Sequence, residues 1–326
     1  METHNFREVK HRIILDDGSE KILQANADVV TDAEGKISRM IGIGQDITEN
    51  QKGQQQLVER TRELEMSNSE LKKFAYVASH DLQEPLRKIM TFTSLLEKEI
   101  PAPEEKVKLY MDKITAASGR MQKLIKDILK FSSIRAASES FEKVDLNHVV
   151  AQVISDLEVK IENSGARIHS VKLPLIQGIP GQLEQLFLNL LGNAIKFRKE
   201  STRPEINISG KLIQSAAVQK IISGPGSDLA YYKKILYWEK EVFALIEVED
   251  NGIGFEEKYA GKIFEIFQRL HGGNYGGTGI GLAICKKIVD NHHGYISAES
   301  KPGSGTKFTI IIPVSQQMFF RNEKSI

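Results

Sequence analysis

The sequence predicts a multidomain α+β chain in three parts: a short antiparallel strand meander, a helical hairpin that pairs with a second copy as a four-helix bundle, and an α/β sandwich. Three observations carry this reading. Residues 6 to 47 hold three apolar runs separated by turn signals, residues 54 to 84 contain neither Pro nor Gly, and helical and strand periods mix beyond residue 140.

At 326 residues, 40% of them hydrophobic, the chain can bury more than one core. Its 44 Lys plus Arg against 43 Asp plus Glu leave a formal charge of +1, so no global field favours nucleic acid or an anionic membrane. Cys285 is the single cysteine, which excludes an internal disulfide and a Cys-based zinc site and suits a reducing compartment. No window reaches the ~18 apolar residues of a membrane span, and the polar start lacks a signal-peptide apolar region. A cytoplasmic chain without a membrane segment is expected, with an upstream part of the parent protein, a membrane anchor included, left open.

The strands are placed at Phe6 to Leu15, Lys21 to Val30 and Ile37 to Ile47, joined at Asp17-Gly18 and Asp32-Ala33-Glu34-Gly35. Residues 1–49 resemble the C-terminal half of a PAS sensor domain, with Gly44-Gln45-Asp46-Ile47-Thr48-Glu49 matching its exit toward a signalling helix. A generic hairpin is the alternative.

From about Gln51 a long helix is expected. Leu57, Leu64, Leu71 and Ala78 recur every seven residues, with Thr61, Asn68, Ala75 and Leu82 between them. That seam suits a parallel homodimer whose register Asn68 fixes by pairing with its twin; a monomeric amphipathic helix is the bland alternative. Pro101-Ala102-Pro103 breaks the helix, and Val107, Met111, Ile114, Met121, Leu124, Ile125, Ile128, Phe131 and Ile134 give a second helical period. Ala136 to Ser140 is a candidate hinge, which bounds a hairpin domain at 50–139 and a sandwich domain at 140–326. In the latter, Leu146 to Ile161, Gln182 to Phe197 and Leu282 to Asp290 read as helices. Arg167 to Leu173, Glu205 to Ile213, Phe243 to Glu249 and Phe308 to Ile312 read as strands, with a hairpin extension at Gln214 to Lys240.

Three patterns carry chemistry. Asn189, Asn193, Lys196 and Phe197 fall near one helical face. Amide oxygens suit Mg²⁺, an ammonium suits phosphate, and an aromatic face can stack on adenine. Asp250-Asn-Gly252-Ile-Gly254 ends a strand, so that the carboxylate can accept a hydrogen bond from an adenine amino group while the glycines admit close backbone approach. Gly276-Gly277-Thr278-Gly279-Ile280-Gly281 opens a helix, a phosphate site through free N–H groups and the helix dipole. Its spacing fits neither the P-loop nor the dinucleotide fingerprint. His271 to Tyr275 has the composition of a closing lid.

Together these residues resemble the N, G1 and G2 boxes of histidine kinases, with Phe264-Glu-Ile-Phe267 resembling the F box and Gly303-Ser-Gly305-Thr306 the final glycine motif. Ala78-Ser79-His80-Asp81-Leu82-Gln83-Glu84-Pro85-Leu86 resembles the phosphoacceptor H box, and the likeness spans about residues 50 to 314. The resemblance implies ATP and Mg²⁺ as cofactors. Asn193, with Asn189 assisting, holds the metal; Lys196, Thr278 and the Gly277, Gly279 and Gly281 backbone cradle phosphates. Phe197, Asp250, Gly252, Gly254, Phe264 and Thr306 complete the nucleotide site. His80 is the implied nucleophile, with Asp81 as base and orienter, and an Asp of a response-regulator receiver domain is the next acceptor. An imidazole of ordinary pKa is substantially neutral near pH 7, as a nucleophile must be. Related ATPases of chaperones and topoisomerases share the nucleotide pattern but lack an H box, and a dimeric scaffold with a dead nucleotide site is the non-enzymatic alternative.

One position departs from the family. Glu84, four residues after His80, stands where members that also dephosphorylate their partner carry Thr or Asn. We expect only weak phosphatase activity of this chain toward a phosphorylated receiver; robust regulator dephosphorylation in the presence of ADP would contradict this.

Overall fold

The computed structural model describes residues 3–5, 9–31, 36–100, 103–134, 141–222, 241–270 and 277–316, without the side chains of residues 3–5, 29, 31, 64–65, 67–78 and 80. The chain divides into two compact units, residues 1–74 and 75–326.

In the first unit the strands β1 (Thr3–Asn5), β2 (Val9–Ile14), β3 (Glu20–Thr31) and β4 (Ile37–Asp46) form one antiparallel sheet with β3 paired to the other three. The exit from β4 is a capped junction. The Asp46 carboxylate accepts both the Thr48 hydroxyl at 2.5 Å and the Thr48 N–H at 3.0 Å, while the Thr48 oxygen accepts the Ile22 N–H at 2.8 Å. Helix α1 (Thr48–Glu99) therefore starts on a side chain hydrogen-bonded into β3. The hydroxyl of Thr48 first, then its N–H and Lys21, hold the Asp46 carboxyl down at about 2.

Helix α1 continues through Pro85 to Glu99, so the absence of one N–H does not end it. Helix α2 (Glu105–Ser133) follows the expected break. The side chains of Leu64, Asn68, Leu71, Ala75 and Ala78 lie outside the described residues, as do residues 135–140 of the candidate hinge. Leu82, Ile89, Phe92, Leu95 and Leu96 on α1, and Leu109, Tyr110, Ile114 and Met121 on α2, are exposed in the single chain.

The α/β portion is a five-stranded sheet in the order β10-β11-β9-β8-β6, with a separate β5–β7 pair. Its strands are β5 (Glu142–Asp145), β6 (Arg167–Ser170), β7 (Leu175–Gly178), β8 (Glu205–Gln214), β9 (Val242–Asp250), β10 (Tyr295–Lys301) and β11 (Gly305–Pro313). The β6–β8 pairing is parallel and the others are antiparallel. Its helices are α3 (Leu146–Asp156), α4 (Glu158–Ser164), α5 (Pro180–Lys196), α6 (Ser215–Ile222) and α7 (Gly281–Asn291).

The apolar positions of α3, α5 and α7 bury one continuous core against the sheet, centred on Leu146, Leu183, Leu186, Phe187, Leu190, Ile246 and Ile288. Alternation along β9 sends Ala244, Ile246 and Val248 into that core and Phe243 and Leu245 to the opposite face. There Val218 and Ile222 of α6 cover them, together with Ile311. This corrects the expected hairpin extension at its start: residues 215–222 are helical because a four-residue apolar spacing roofs the far side of the sheet, and 223–240 lie outside the described residues. The expected helix at Leu146 to Ile161 is two helices meeting at the buried Leu157.

Two glycines at the end of β9 are fixed by space and backbone. A Cβ on Gly252 would lie 2.5 Å from the Phe197 carbonyl oxygen, and Gly254 holds φ +61° with a Cβ position that overlaps the Lys301 carbonyl. Gly254→Ala should destabilise the 75–326 unit by more than about 2 kcal/mol, combining left-handed strain with steric overlap. Gly261→Ala, where no atom lies within 4 Å of the added Cβ, should stay within about 0.5 kcal/mol. Urea midpoints of the two variants check the contrast.

Candidate functional site

Helix α5 turns Leu183, Leu186, Phe187, Leu190, Leu191, Ala194 and Ile195 inward, which leaves Asn189, Asn193 and Lys196 together on its half-buried margin. The Asn189 Nδ2 donates to the Gly281 carbonyl at 3.1 Å, and its Oδ1 accepts Gln185 Nε2 at 2.9 Å. Asn189 thereby fixes the first residue of α7 against α5. Asn193, one turn on, has no side-chain hydrogen bond to any described residue. A half-buried amide oxygen without a partner is a hard donor available to a cation.

The Phe197 carbonyl at the C-terminus of α5 accepts the Ile253 N–H at 2.9 Å, so the helix end and the turn after β9 are one structure. Asp250 closes β9 with its Oδ1 accepting the Gly252 N–H at 2.8 Å. Burial pushes the Asp250 carboxyl up to about 6, against the lowering effect of the Gly252 and Thr306 backbone donors. The final glycine motif is joined to the same place: the Gly303 N–H donates to the Ile253 carbonyl at 2.6 Å, and Thr306 pairs with Asp250 across the β9–β11 ladder.

The glycine-rich segment sits against both groups. A Cβ on Gly277 would lie 2.8 Å from Lys196 Nζ, so its backbone passes directly over the ammonium, which also stands 4.1 Å above the Phe197 ring. Burial first, then Lys123 and Arg269, lower the Lys196 pKa. The Gly279 carbonyl accepts the Phe267 N–H at 3.0 Å, and Phe267 holds φ +67° to reach it. Phe264 packs its ring against the main core rather than standing free. Thr278 does not face open space: its hydroxyl donates to Asp127 Oδ2 of α2 at 2.6 Å.

The site thus collects Asn189, Asn193, Lys196, Phe197, Asp250, Gly252, Gly254, Gly277, Thr278, Gly279, Gly281 and Thr306 around the C-terminal half of α5. His80 lies in α1, with its side chain outside the described residues, and Asp81 beside it is exposed. The Glu84 carboxylate pairs with Lys88 at 2.9 Å, one turn along the same helix. The expected lid at His271 to Tyr275, and Gly276 of the glycine-rich motif, are outside the described residues. Among the described residues no three His, Cys, Asp or Glu side chains converge as a metal cluster, and no helix is long and apolar enough to cross a membrane.

Sequence reasoning missed several contributors. Ser300 accepts the Phe255 N–H at 2.9 Å, donates to the Gly305 carbonyl at 2.7 Å and lies 3.1 Å from the Thr306 hydroxyl, which makes it the clasp of the last glycine turn. Gln185, Asp127 and Lys123 belong to helices whose periodicity explained them as surface residues. Only three-dimensional proximity distinguishes them.

Comparison with known proteins agrees with this geometry. Residues 178–316 match the family described as histidine kinase-, DNA gyrase B-, and HSP90-like ATPase, and residues 70–137 match the His Kinase A phospho-acceptor domain. Phytochrome-like protein Cph1 of Synechocystis is 39% identical over 262 residues, covering 80% of this chain and 31% of its own length. Sensor protein kinase WalK of Staphylococcus aureus is 26% identical over 298 residues, covering 90% of this chain and 62% of its own. The structure of full-length ShkA in complex with AMPPNP superposes with a TM-score of 0.52 at 22% identity, covering 74% of this chain and 45% of that one, a likeness of fold. The chain spans about a third of the length of Cph1 and of the cyanobacterial phytochromes A and B of Nostoc.

The raised Asp250 pKa has a stability consequence. Because the folded state favours the protonated carboxyl, that contribution is full below about 3.8 and is lost as pH rises through about 6. Asp250→Asn keeps an oxygen for the Gly252 N–H and removes the buried charge. It should therefore gain on wild type above pH 6, by on the order of 2–3 kcal/mol, and lose that advantage near pH 4. Urea unfolding of both proteins without nucleotide, from pH 4 to pH 8, measures the gap.

Proposed function

The chain belongs to the sensor histidine kinases, and from that premise we propose that it transfers the γ-phosphoryl group of Mg-ATP to its own His80 and then to an Asp of a response-regulator receiver domain. The observation that carries the reading is the convergence of Asn193, Lys196, Asp250 and the Gly277 to Gly281 backbone beside a helix that matches a phospho-acceptor domain.

In this reading the Asp250 carboxyl receives the adenine amino group at the closed end of the site, and the glycines of the turn let the base approach the backbone. Phe197 and Thr306 border that end, and Phe264 braces it from the core. The Asn193 amide, with Asn189 assisting, would hold Mg²⁺, which would supply charge neutralisation at the phosphates. Lys196 meets the phosphates as a point charge, in an environment where burial and two neighbouring cations favour receiving an anion. A neutral His80 nitrogen attacks the γ-phosphorus in line; the N–P bond forms as the bond to the β–γ bridging oxygen breaks, ADP leaves, and Asp81 takes the ring proton.

The three-part organisation fits this activity, with residues 1–49 as the C-terminal part of a PAS-like sensor domain that delivers a signal, 50–139 as the coiled-coil linker with the dimerisation and phosphotransfer hairpin, and 140–326 as the nucleotide domain. The exposed apolar residues of α1 and α2 support a homodimer through the hairpin. Cytoplasmic action follows from the nucleotide and receiver it would use, and no role for nucleic acid is proposed.

Incubation with γ-labelled ATP should place acid-labile, alkali-stable label on the chain. His80→Gln should abolish it, and Asn193→Ala should reduce the initial rate at least about a hundredfold with the unfolding free energy from urea titration unchanged within about 0.5 kcal/mol. Label retained by His80→Gln would remove His80 as the acceptor, and nucleotide hydrolysis with no labelled protein would favour the ATPase alternative.

A further inference from the structure

Helix α2 presents one face to the nucleotide domain, and that face is chemically specific. Leu124, Ile128 and Phe131 pack against the main core. Lys287 of α7 donates to the Phe131 carbonyl at 2.6 Å and stands 4.2 Å above its ring, closing the C-terminal end of α2. On the same face, one helical turn apart, Lys123 acts electrostatically on Lys196, and Asp127 accepts the Thr278 hydroxyl at 2.6 Å. Asp127 is thus a carboxylate set beside the glycine-rich backbone, and that backbone runs against the Lys196 ammonium.

We propose that Asp127 is a positioning residue that stands in for a phosphate oxygen: it occupies the Thr278 hydroxyl while the hairpin is docked, and nucleotide binding must displace it. The inference rests on the nucleotide reading of the site. The Thr278 hydroxyl has one proton to donate, so it cannot serve Asp127 and a phosphate oxygen at full strength together. An anionic ligand would also meet the Asp127 charge. The hydrogen bond is a short, charge-assisted one, of the kind that shifts a binding equilibrium by roughly tenfold or more. Nucleotide affinity and hairpin docking are therefore coupled with opposite sign, and the coupling is reciprocal. Lys123, a cation on the same face, works against part of this effect because its charge beside Lys196 favours an anion, so the opposite sign of the coupling rests on Asp127.

The test is titration of the full chain with the non-hydrolysable analogue AMPPNP in Mg²⁺, by calorimetry. Asp127→Ala should tighten binding about tenfold and Asp127→Asn by a smaller factor, since the amide retains an acceptor without the charge. Thr278→Val should weaken binding, and adding Asp127→Ala to it should recover at most about threefold, a non-additivity that a merely structural aspartate would not produce. If wild type binds and Asp127→Ala binds equally or more weakly, the proposal falls while the nucleotide site stands. If neither wild type nor any variant binds the analogue, both fall together.

Discussion

The hydrogen bond from the Ile253 N–H to the Phe197 carbonyl is the constraint on which the site depends. It joins the last turn of α5 to the turn that ends β9, two elements more than fifty residues apart in the chain. Because Phe197 follows Lys196 and Ile253 lies three residues after Asp250, one backbone contact sets the distance between the charged end and the base end of the site. The glycines serve that contact. Gly252 passes 2.5 Å, measured from its would-be Cβ, from the same carbonyl, so a larger residue would force the helix and the strand apart. The core beneath makes the contact rigid, since Leu190, Leu191, Ala194 and Ile195 on α5 and Ile246 and Val248 on β9 are buried in one cluster.

Around that junction the sequence was most legible where chemistry restricts the residue type. Asn193, Lys196, Asp250 and the glycines announce themselves because few other side chains can offer a hard oxygen, a point charge, a buried acceptor or a bare backbone at those spacings. The long helices were equally legible, their apolar periods running unbroken over many turns. The short strands β5, β7 and β10 were not. Tyr295 to Lys301 alternates Ile296, Ala298 and Ser300 on its buried side, and a small polar residue there weakens a period-two signal that tertiary pairing with β11 then enforces. Helix α6 was missed for a related reason: Val218 and Ile222 supply only two anchoring positions, meaningful once Phe243 and Leu245 are known to need a cover on the far face.

Side chains that act across elements were illegible for a different cause. Asp127 and Lys123 occupy positions in α2 that periodicity assigns to solvent, and their role exists only because Leu124, Ile128 and Phe131 are drawn onto the nucleotide domain. The docking that brings them in is apolar, closed at one end by Lys287, which satisfies a carbonyl that the last turn of α2 leaves without a helical partner. Apolar burial is indifferent to the charge beside it. What the docked face presents to the site is separate from what packs it, and here it presents the cations Lys123 and Lys130 and the anion Asp127.

That separation of packing from charge explains how a chain of formal charge +1 can hold a strong local field. Lys123 and Arg269, both exposed, lie close enough to lower the pKa of the half-buried Lys196, whose own burial is the larger cause. A globally basic protein would attract any polyanion. A balanced one keeps its positive potential local, at the Lys196 ammonium that lies against the Gly277 backbone. Asp127 fits the same arrangement: its single negative charge occupies the Thr278 hydroxyl and leaves the Lys196 ammonium to meet an incoming anion.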